Sequence, residues 1–142
     1  MKLFTFDVQR GEMSQLSEVR TQSGNIEFDP NSNMIFVGQG YLSSGEIFAY
    51  RLVADEIVPI QSTGAYGTAQ MGNSDDANTV LSADGSSLFY GRLQVEASDV
   101  SNNLHLHNEV IIAASSSVAF GSNGNFYDSR DGQLLGLNQA NA

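Results

Sequence analysis

Short apolar runs alternate with polar turn segments along the chain, and this pattern predicts an all-β protein. The runs are rich in β-branched and aromatic residues, and apolar residues almost nowhere recur at helical spacing over three turns. The predicted strands include residues 3–6, 34–37, 47–50, 57–60, 87–90 and 110–113. In segment 11–20, Met13, Leu16 and Val19 follow one another at helical spacing. We expect a strand there as well, because an internal repeat requires one.

Two kinds of predicted β-hairpin alternate along the chain. Segment 3–16 matches segment 47–60, with apolar residues aligned and a polar turn that ends in Gly-Glu or Asp-Glu, and segment 127–137 repeats this hairpin. The second kind has an Asp, Asn, Gly and Ser turn and occurs at 28–38, at 81–91 and, in a shorter form, at 120–127. One hairpin of each kind makes a four-stranded unit of about 40 residues. The excess length of the first unit is explained by an insertion at 64–77.

These repeats resemble β-propellers of the lactonase and YVTN-repeat type. The resemblance is carried by Phe28-Asp29-Pro30-Asn31 and the strand that follows, by segment 81–90, and by the opening hairpin with Gly11-Glu12. It implies four-stranded antiparallel blades. The repeat supplies about three of them, and the length of 142 residues predicts a single domain over residues 1–142. A WD40 propeller is disfavoured because the chain has no Trp. A β-sandwich or a barrel remains the alternative fold.

Composition narrows the classes of partner. A hydrophobic content of 41% supplies the core of one domain, and six Lys and Arg against 16 Asp and Glu give a net charge of −10. Such a surface repels phosphate backbones and anionic lipids, so we expect neither nucleic-acid nor membrane binding. The absence of cysteine excludes disulfides and thiol chemistry. With no membrane-length apolar run and no signal-peptide pattern, we expect a cytoplasmic or otherwise soluble protein.

Three blades would leave two apolar blade faces without a partner, since about four blades are the fewest that close a ring. We therefore expect a homodimer in which two chains close head to tail into a six-bladed ring.

His105 and His107 alternate with leucines, so on a strand both imidazoles and Glu109 face the same side. Two His at this spacing can bind a metal ion, usually with a third ligand. The interpretation that the sequence favours is a solvated outer face opposite buried leucines, and we expect no metal and no cofactor.

The insertion carries the other candidate binding residues. Asp75 and Asp76 offer only part of a calcium-loop pattern, and an acidic loop is the favoured interpretation. Long loops on rigid scaffolds are common binding sites, so Tyr66, Gln70 and Met71 are expected to contact a partner.

Two functions follow from these observations. The first is a non-enzymatic scaffold or binding module for a protein or a small ligand. The alternative is a lactonase-like hydrolase with its site in a central channel, although the sequence identifies no catalytic residue. The hydrolase hypothesis is favoured if His105, His107 and Glu109 converge on an axial pocket with Arg51 or Arg92, and it is disfavoured if they lie on the rim.

Overall fold

A computed structural model describes residues 2–18, 25–38, 44–54, 56–63, 66–67 and 78–137, and every regular element in these ranges is a β-strand. The all-β class predicted from the hydrophobic pattern is confirmed, including a strand rather than a helical turn after Gly11. In chain order the strands are β1 (Lys2–Asp7), β2 (Glu12–Glu18), β3 (Ile26–Asp29), β4 (Met34–Gly38), β5 (Ser44–Gly45), β6 (Ile47–Val53), β7 (Glu56–Ser62), β8 (Tyr66–Gly67), β9 (Thr79–Leu81), β10 (Ser87–Tyr90), β11 (Leu93–Glu96), β12 (Asp99–Leu106), β13 (Ile111–Ala114), β14 (Val118–Gly121), β15 (Phe126–Asp128) and β16 (Leu134–Gly136).

Twelve of these strands form three antiparallel four-stranded sheets whose strand order is the order along the chain. The first sheet is β3-β4-β6-β7, the second is β9-β10-β11-β12 and the third is β13-β14-β15-β16. Two smaller antiparallel pairs are the β1-β2 hairpin and β5-β8. The strand β8 lies inside the predicted insertion 64–77. Among the residues described, no helix has the length and apolar character needed to cross a membrane.

The three sheets pack face to face in chain order. Alternate residues of β4 and β6 share one apolar core with β10 and β11, and a second core joins the second sheet to the third. The first strands of the sheets are also neighbours, since β3 contacts β9 and β9 contacts β13. We call the face of a sheet that points to the next sheet along the chain its forward face, and the opposite side its rear face.

The rear face of the first sheet has an apolar cluster of its own, formed by Ile35, Val37, Tyr50 and Ile57 with two partly buried neighbours. The β1-β2 hairpin lies beside this sheet, where β2 contacts β7. Along the chain the order is therefore a hairpin followed by three stacked sheets.

The repeat between the opening hairpin and the end of the chain is confirmed at the level of single hydrogen bonds. Asp7 Oδ1 accepts the backbone N–H groups two and three residues later at 2.9 and 3.1 Å, and Asp128 Oδ1 does the same at 2.8 and 3.3 Å. Each turn closes with a glycine N–H, of Gly11 or Gly132, that donates to the carbonyl oxygen of the aspartate at 2.8 or 2.9 Å. These glycines have φ of 68° and 75°, a conformation that side-chain-bearing residues rarely adopt.

The alignment of segment 28–38 with segment 81–91 is confirmed by the strand register. Phe28 pairs with Ile35 in the first sheet, and Leu81 pairs with Leu88 at the matching positions of the second. Segment 47–60 also forms the predicted hairpin, although its turn is tighter than that of segment 3–16, with Ala54 at a φ of 52°.

The prediction that segment 120–127 is a copy of segments 28–38 and 81–91 was wrong, because those two segments are the first hairpins of their sheets. This segment is a hairpin, but it is the central one of its sheet, where Phe120 pairs with Phe126. The first hairpin of the third sheet is β13-β14. Its turn is formed by Ser115, whose Oγ accepts the N–H groups of Ser117 at 3.3 Å and Val118 at 3.0 Å. A serine turn has no Gly, Asn or Asp to mark it, so the sequence pattern did not reveal it.

Candidate functional site

His107 and Glu109, which the hydrolase hypothesis would place in an axial pocket, lie between the second and third sheets. They stand in the segment that leads from β12 to β13, and their exposed fractions are 0% and 5%. The centroid of the His107 ring lies 4.7 Å from that of Tyr127 in the third sheet and 6.0 Å from that of Phe89 in the second. Both side chains are therefore part of the packing between sheets.

Gln94 of β11 determines which nitrogen of His107 carries the proton. Its Nε2 donates to the carbonyl oxygen of Ser129 at 2.8 Å, which leaves its Oε1 to accept from His107 Nε2 at 2.8 Å. His107 Nε2 is thus the protonated nitrogen, and Nδ1 carries the lone pair. Within the described part of the chain, this Nδ1 and the Ser129 hydroxyl are buried without a hydrogen-bond partner.

Burial also keeps His107 uncharged. Desolvation lowers its pKa to about 4, and the neighbouring His105, whose ring centroid is 4.6 Å away, acts in the same direction. The carboxylate of Glu109 opposes this shift without cancelling it. At neutral pH His107 is therefore a neutral imidazole.

Glu109 is held by three donors from the third sheet. The Tyr127 hydroxyl and Asn125 Nδ2 each donate to its Oε1 at 2.6 Å, and the backbone N–H of Asn123 donates to its Oε2. The carboxylate lies directly over Gly121, where a Cβ would collide with it. Burial and the bond to Glu109 raise the pKa of Tyr127, so its hydroxyl keeps its proton. The carboxylate thus joins the β12–β13 segment to the β14–β15 turn.

Of the other residues of the hydrolase hypothesis, His105 and Arg92 lie next to His107, whereas Arg51 does not. His105 is half-buried against the β15–β16 turn, and a Cβ on Gly132 would lie 2.6 Å from its Cγ. Arg92 Nε donates to the carbonyl oxygen of His107 at 2.7 Å, which is a backbone contact. Arg51 lies at the opposite end of the sheets, in a cleft beside Asp29.

The prediction of a solvated outer face for the histidines was wrong for His107. Its side chain is fully buried, whereas Leu106, expected on the buried side, is 43% exposed. The rings of His105 and His107 do come together, as strand alternation predicts. Alternation cannot show which side of β12 is covered, because the cover is a sheet formed by later residues.

Within the described ranges, no three His, Cys, Asp or Glu side chains are placed as a set of metal ligands. Among the candidates in the insertion, Gln70, Met71, Asp75 and Asp76 lie outside the described residues. Tyr66 begins β8, whose backbone pairs with β5.

Two clefts open at the opposite end of the sheets from Glu109. One, of about 190 Å³, lies between the first and second sheets and is lined by residues that include Asp29, Arg51 and Ser98. The other, of about 510 Å³, is lined by Asp84, Gly85, Ser86, Ser87, Glu96, Ser98 and Arg130. Hydrogen bonds from the hydroxyls of Ser86 and Ser82 lower the pKa of Asp84, so this carboxylate is charged at neutral pH. We call the pair the turn-end clefts.

Gln94, Asn125 and Tyr127 were not identified as site residues from the sequence. Their contacts with His107 and Glu109 span 13 to 18 residues of chain. The one local signal is Gln94, an uncharged polar residue in the otherwise apolar first three positions of β11. Buried polar residues of this kind usually have a specific hydrogen-bond partner.

Comparison of the chain with protein-family models, with curated proteins and with solved structures finds no match.

Proposed function

We propose that this chain is a non-enzymatic scaffold and binding module of the β-propeller type, which closes with a second copy of itself. Its three four-stranded sheets follow one another along the chain, and each has its strands in sequence order. Neighbouring first strands and face-to-face stacking are what consecutive propeller blades require. A β-sandwich of the immunoglobulin type instead has Greek-key connections between two sheets, so this topology favours the propeller.

The observation that carries the non-enzymatic role is the burial of His107 and Glu109. A general acid or base must reach its substrate within hydrogen-bond distance. Here one side chain is fully enclosed, and the other has both carboxylate oxygens bonded to the third sheet. They act as a polar connection between adjacent sheets.

Among the described residues, we assign ligand binding to the turn-end clefts. The larger cleft presents the carboxylates of Asp84 and Glu96 with the single guanidinium of Arg130, surrounded by serine hydroxyls. This arrangement suits a polar ligand that carries a positive charge, such as a basic side chain of a partner protein. Tyr66, Gln70, Met71, Asp75 and Asp76 of the insertion remain proposed partner contacts.

An activity assay tests the non-enzymatic role. Wild-type protein is incubated with a panel of γ- and δ-lactones and chromogenic esters, and hydrolysis is expected at the rate of buffer alone. Hydrolysis above that rate, if lost in a folded His107→Asn or Glu109→Gln variant, would establish the hydrolase instead.

An NMR titration tests the cleft. Short basic and acidic peptides are added to ¹⁵N-labelled protein, and the basic peptide is expected to shift the amide signals of Gly85, Ser86 and Ser98. The Glu96→Gln variant should bind this peptide more weakly. Equal shifts with both peptides, or none at these amides, would contradict the assignment.

A further inference from the structure

The second strand of each sheet carries a phenylalanine at its third position, on the forward face. Phe36 in β4 packs against the second sheet and is 1% exposed, and Phe89 in β10 packs against the third sheet and is 0% exposed. Phe120 holds the same position in β14 but is 38% exposed. Ala119 beside it faces the second sheet, so Phe120 lies on the opposite face of the third sheet.

Phe126 extends this exposed surface. It pairs across the strands with Phe120, their ring centroids are 5.4 Å apart in an edge-to-face arrangement, and it is 39% exposed. The matching partner of Phe36 is Ala49 and that of Phe89 is Gln94, both of which are buried. The forward face of the third sheet therefore has the character of a sheet interface, with no covering sheet among the described residues.

The β1-β2 hairpin has an exposed rear face, which is the side that the forward face of a sheet packs against. Phe6 pairs with Met13 just as Tyr127 pairs with Leu134, and the two hairpins have the same aspartate turn. Tyr127 belongs to a rear face, where it shares an apolar cluster with Phe89 of the preceding sheet. Phe6 is the equivalent rear-face residue and is 61% exposed, and on the same face Phe4 and Met13 are 51% and 69% exposed.

We propose that the forward face of the third sheet, formed by Phe120 and Phe126, docks on the rear face of the β1-β2 hairpin, formed by Phe4, Phe6 and Met13, of a second copy of this chain. This inference rests on the proposed closure of the chain with itself and identifies the surface involved. It continues the packing seen inside the chain, because Phe120 and Phe6 would occupy the positions that Phe89 and Tyr127 hold in the apolar cluster between the second and third sheets. Two copies related by a two-fold axis then make two equivalent contacts and leave neither face exposed.

We assign a second copy as the occupant because one chain carries both halves of the contact, and the two halves lie apart among the described residues. The hairpin lies beside the first sheet, and the second sheet separates the first from the third. Both faces remain exposed in the single chain. Closure within one chain would require a ring of three sheets and a hairpin, fewer than the four blades that propellers use.

Site-specific crosslinking tests the contact, because the chain contains no cysteine. Phe6→Cys and Phe120→Cys proteins are prepared separately, mixed at micromolar concentration in a glutathione redox buffer, and analysed on non-reducing gels. The mixture is expected to form a covalent dimer on the order of tenfold faster than either variant alone, because docking raises the effective concentration of the two thiols. The control mixture replaces Phe120→Cys with Val53→Cys, at an exposed hairpin tip outside both faces.

Light scattering of wild type and of Phe120→Asp, with circular dichroism to verify folding, separates this inference from the proposed function. A dimeric wild type and a folded, monomeric Phe120→Asp support the contact, and Val53→Asp should stay dimeric. A dimeric wild type with no preferential crosslink in the Phe6→Cys and Phe120→Cys mixture overturns the contact and leaves closure standing. A monomeric wild type overturns both, and rapid crosslinking of Phe120→Cys alone shows a symmetric contact and overturns the head-to-tail arrangement.

Discussion

Glu109 connects the segment between the second and third sheets to the third sheet. Its carboxylate is buried and accepts three hydrogen bonds from the third sheet. Removing this buried acceptor breaks all three bonds and leaves the buried Tyr127 hydroxyl without the carboxylate that accepts its hydrogen bond, which is costly.

Glu109→Ala is therefore expected to lower the free energy of unfolding by about 3 kcal/mol or more. The cause is the loss of an acceptor for Tyr127 and for the backbone N–H of Asn123. Urea denaturation followed by circular dichroism measures the change. Glu56→Ala is the control, since this exposed glutamate should change stability by less than about 0.5 kcal/mol. An equal effect of the two substitutions would contradict the role of Glu109.

The lowered pKa of His107 predicts that the stability of the protein depends on pH. Its folded pKa of about 4 lies below the unfolded value of 6.5. Between these values the unfolded chain binds more protons than the folded one, so stability is complete above pH 6.5 and falls as the pH drops towards 4. The expected loss is about 3 kcal/mol.

The measurement is the free energy of unfolding at pH 7 and at pH 4.5 for wild type and for His107→Gln. The titratable groups facing this imidazole are His105, Glu109 and Tyr127, and they are the same in both proteins. Their contributions therefore cancel in the difference, and His107→Gln should show the smaller loss. Identical losses in the two proteins would show that His107 does not titrate in this window.

At the scale of single elements, the hairpin turns show how far local sequence determines structure. The turns after Asp7 and Asp128 are the same because each aspartate bonds to amides two and three residues away and each is closed by a glycine. Those interactions lie within a few residues, so the sequence predicts the turns correctly.

Asp128→Ala is expected to lower the free energy of unfolding by about 1 kcal/mol, because two backbone N–H groups lose their acceptor. Asp128→Asn should keep most of this stability, since the amide oxygen can accept both bonds. Thermal and urea unfolding of the two variants make the comparison. A full loss in Asp128→Asn would mean that the charge, rather than the hydrogen bonds, stabilises the turn.

The third sheet shows where prediction from the sequence fails. The turn that contains Asn123 and Asn125 has the Asn, Gly and Ser composition of the turns in segments 28–38 and 81–91. It differs from them because Glu109, from another segment, accepts hydrogen bonds from both residues. The covering of His107 likewise comes from Tyr127 and Gln94, both distant in sequence. Local patterns therefore predicted strands and turns, whereas the buried network depends on which sheets meet.

At the scale of the whole molecule, the stacking of sheets determines how the chain presents its surfaces. The forward faces of the first and second sheets are covered within the chain, whereas Phe120 and Phe126 on the third are exposed. At the other end of the stack, Phe6 and Met13 on the rear face of the β1-β2 hairpin are also exposed. The proposed association of two copies would bury both surfaces at once and would double the net charge of −10.

The most direct test of the proposed closure between two copies is the molar mass of the wild-type protein in solution. Size-exclusion chromatography with multi-angle light scattering, over a series of micromolar concentrations at neutral pH, is expected to give about twice the 15.2 kDa of one chain. A single monodisperse species of 15.2 kDa throughout the series would contradict closure between two copies.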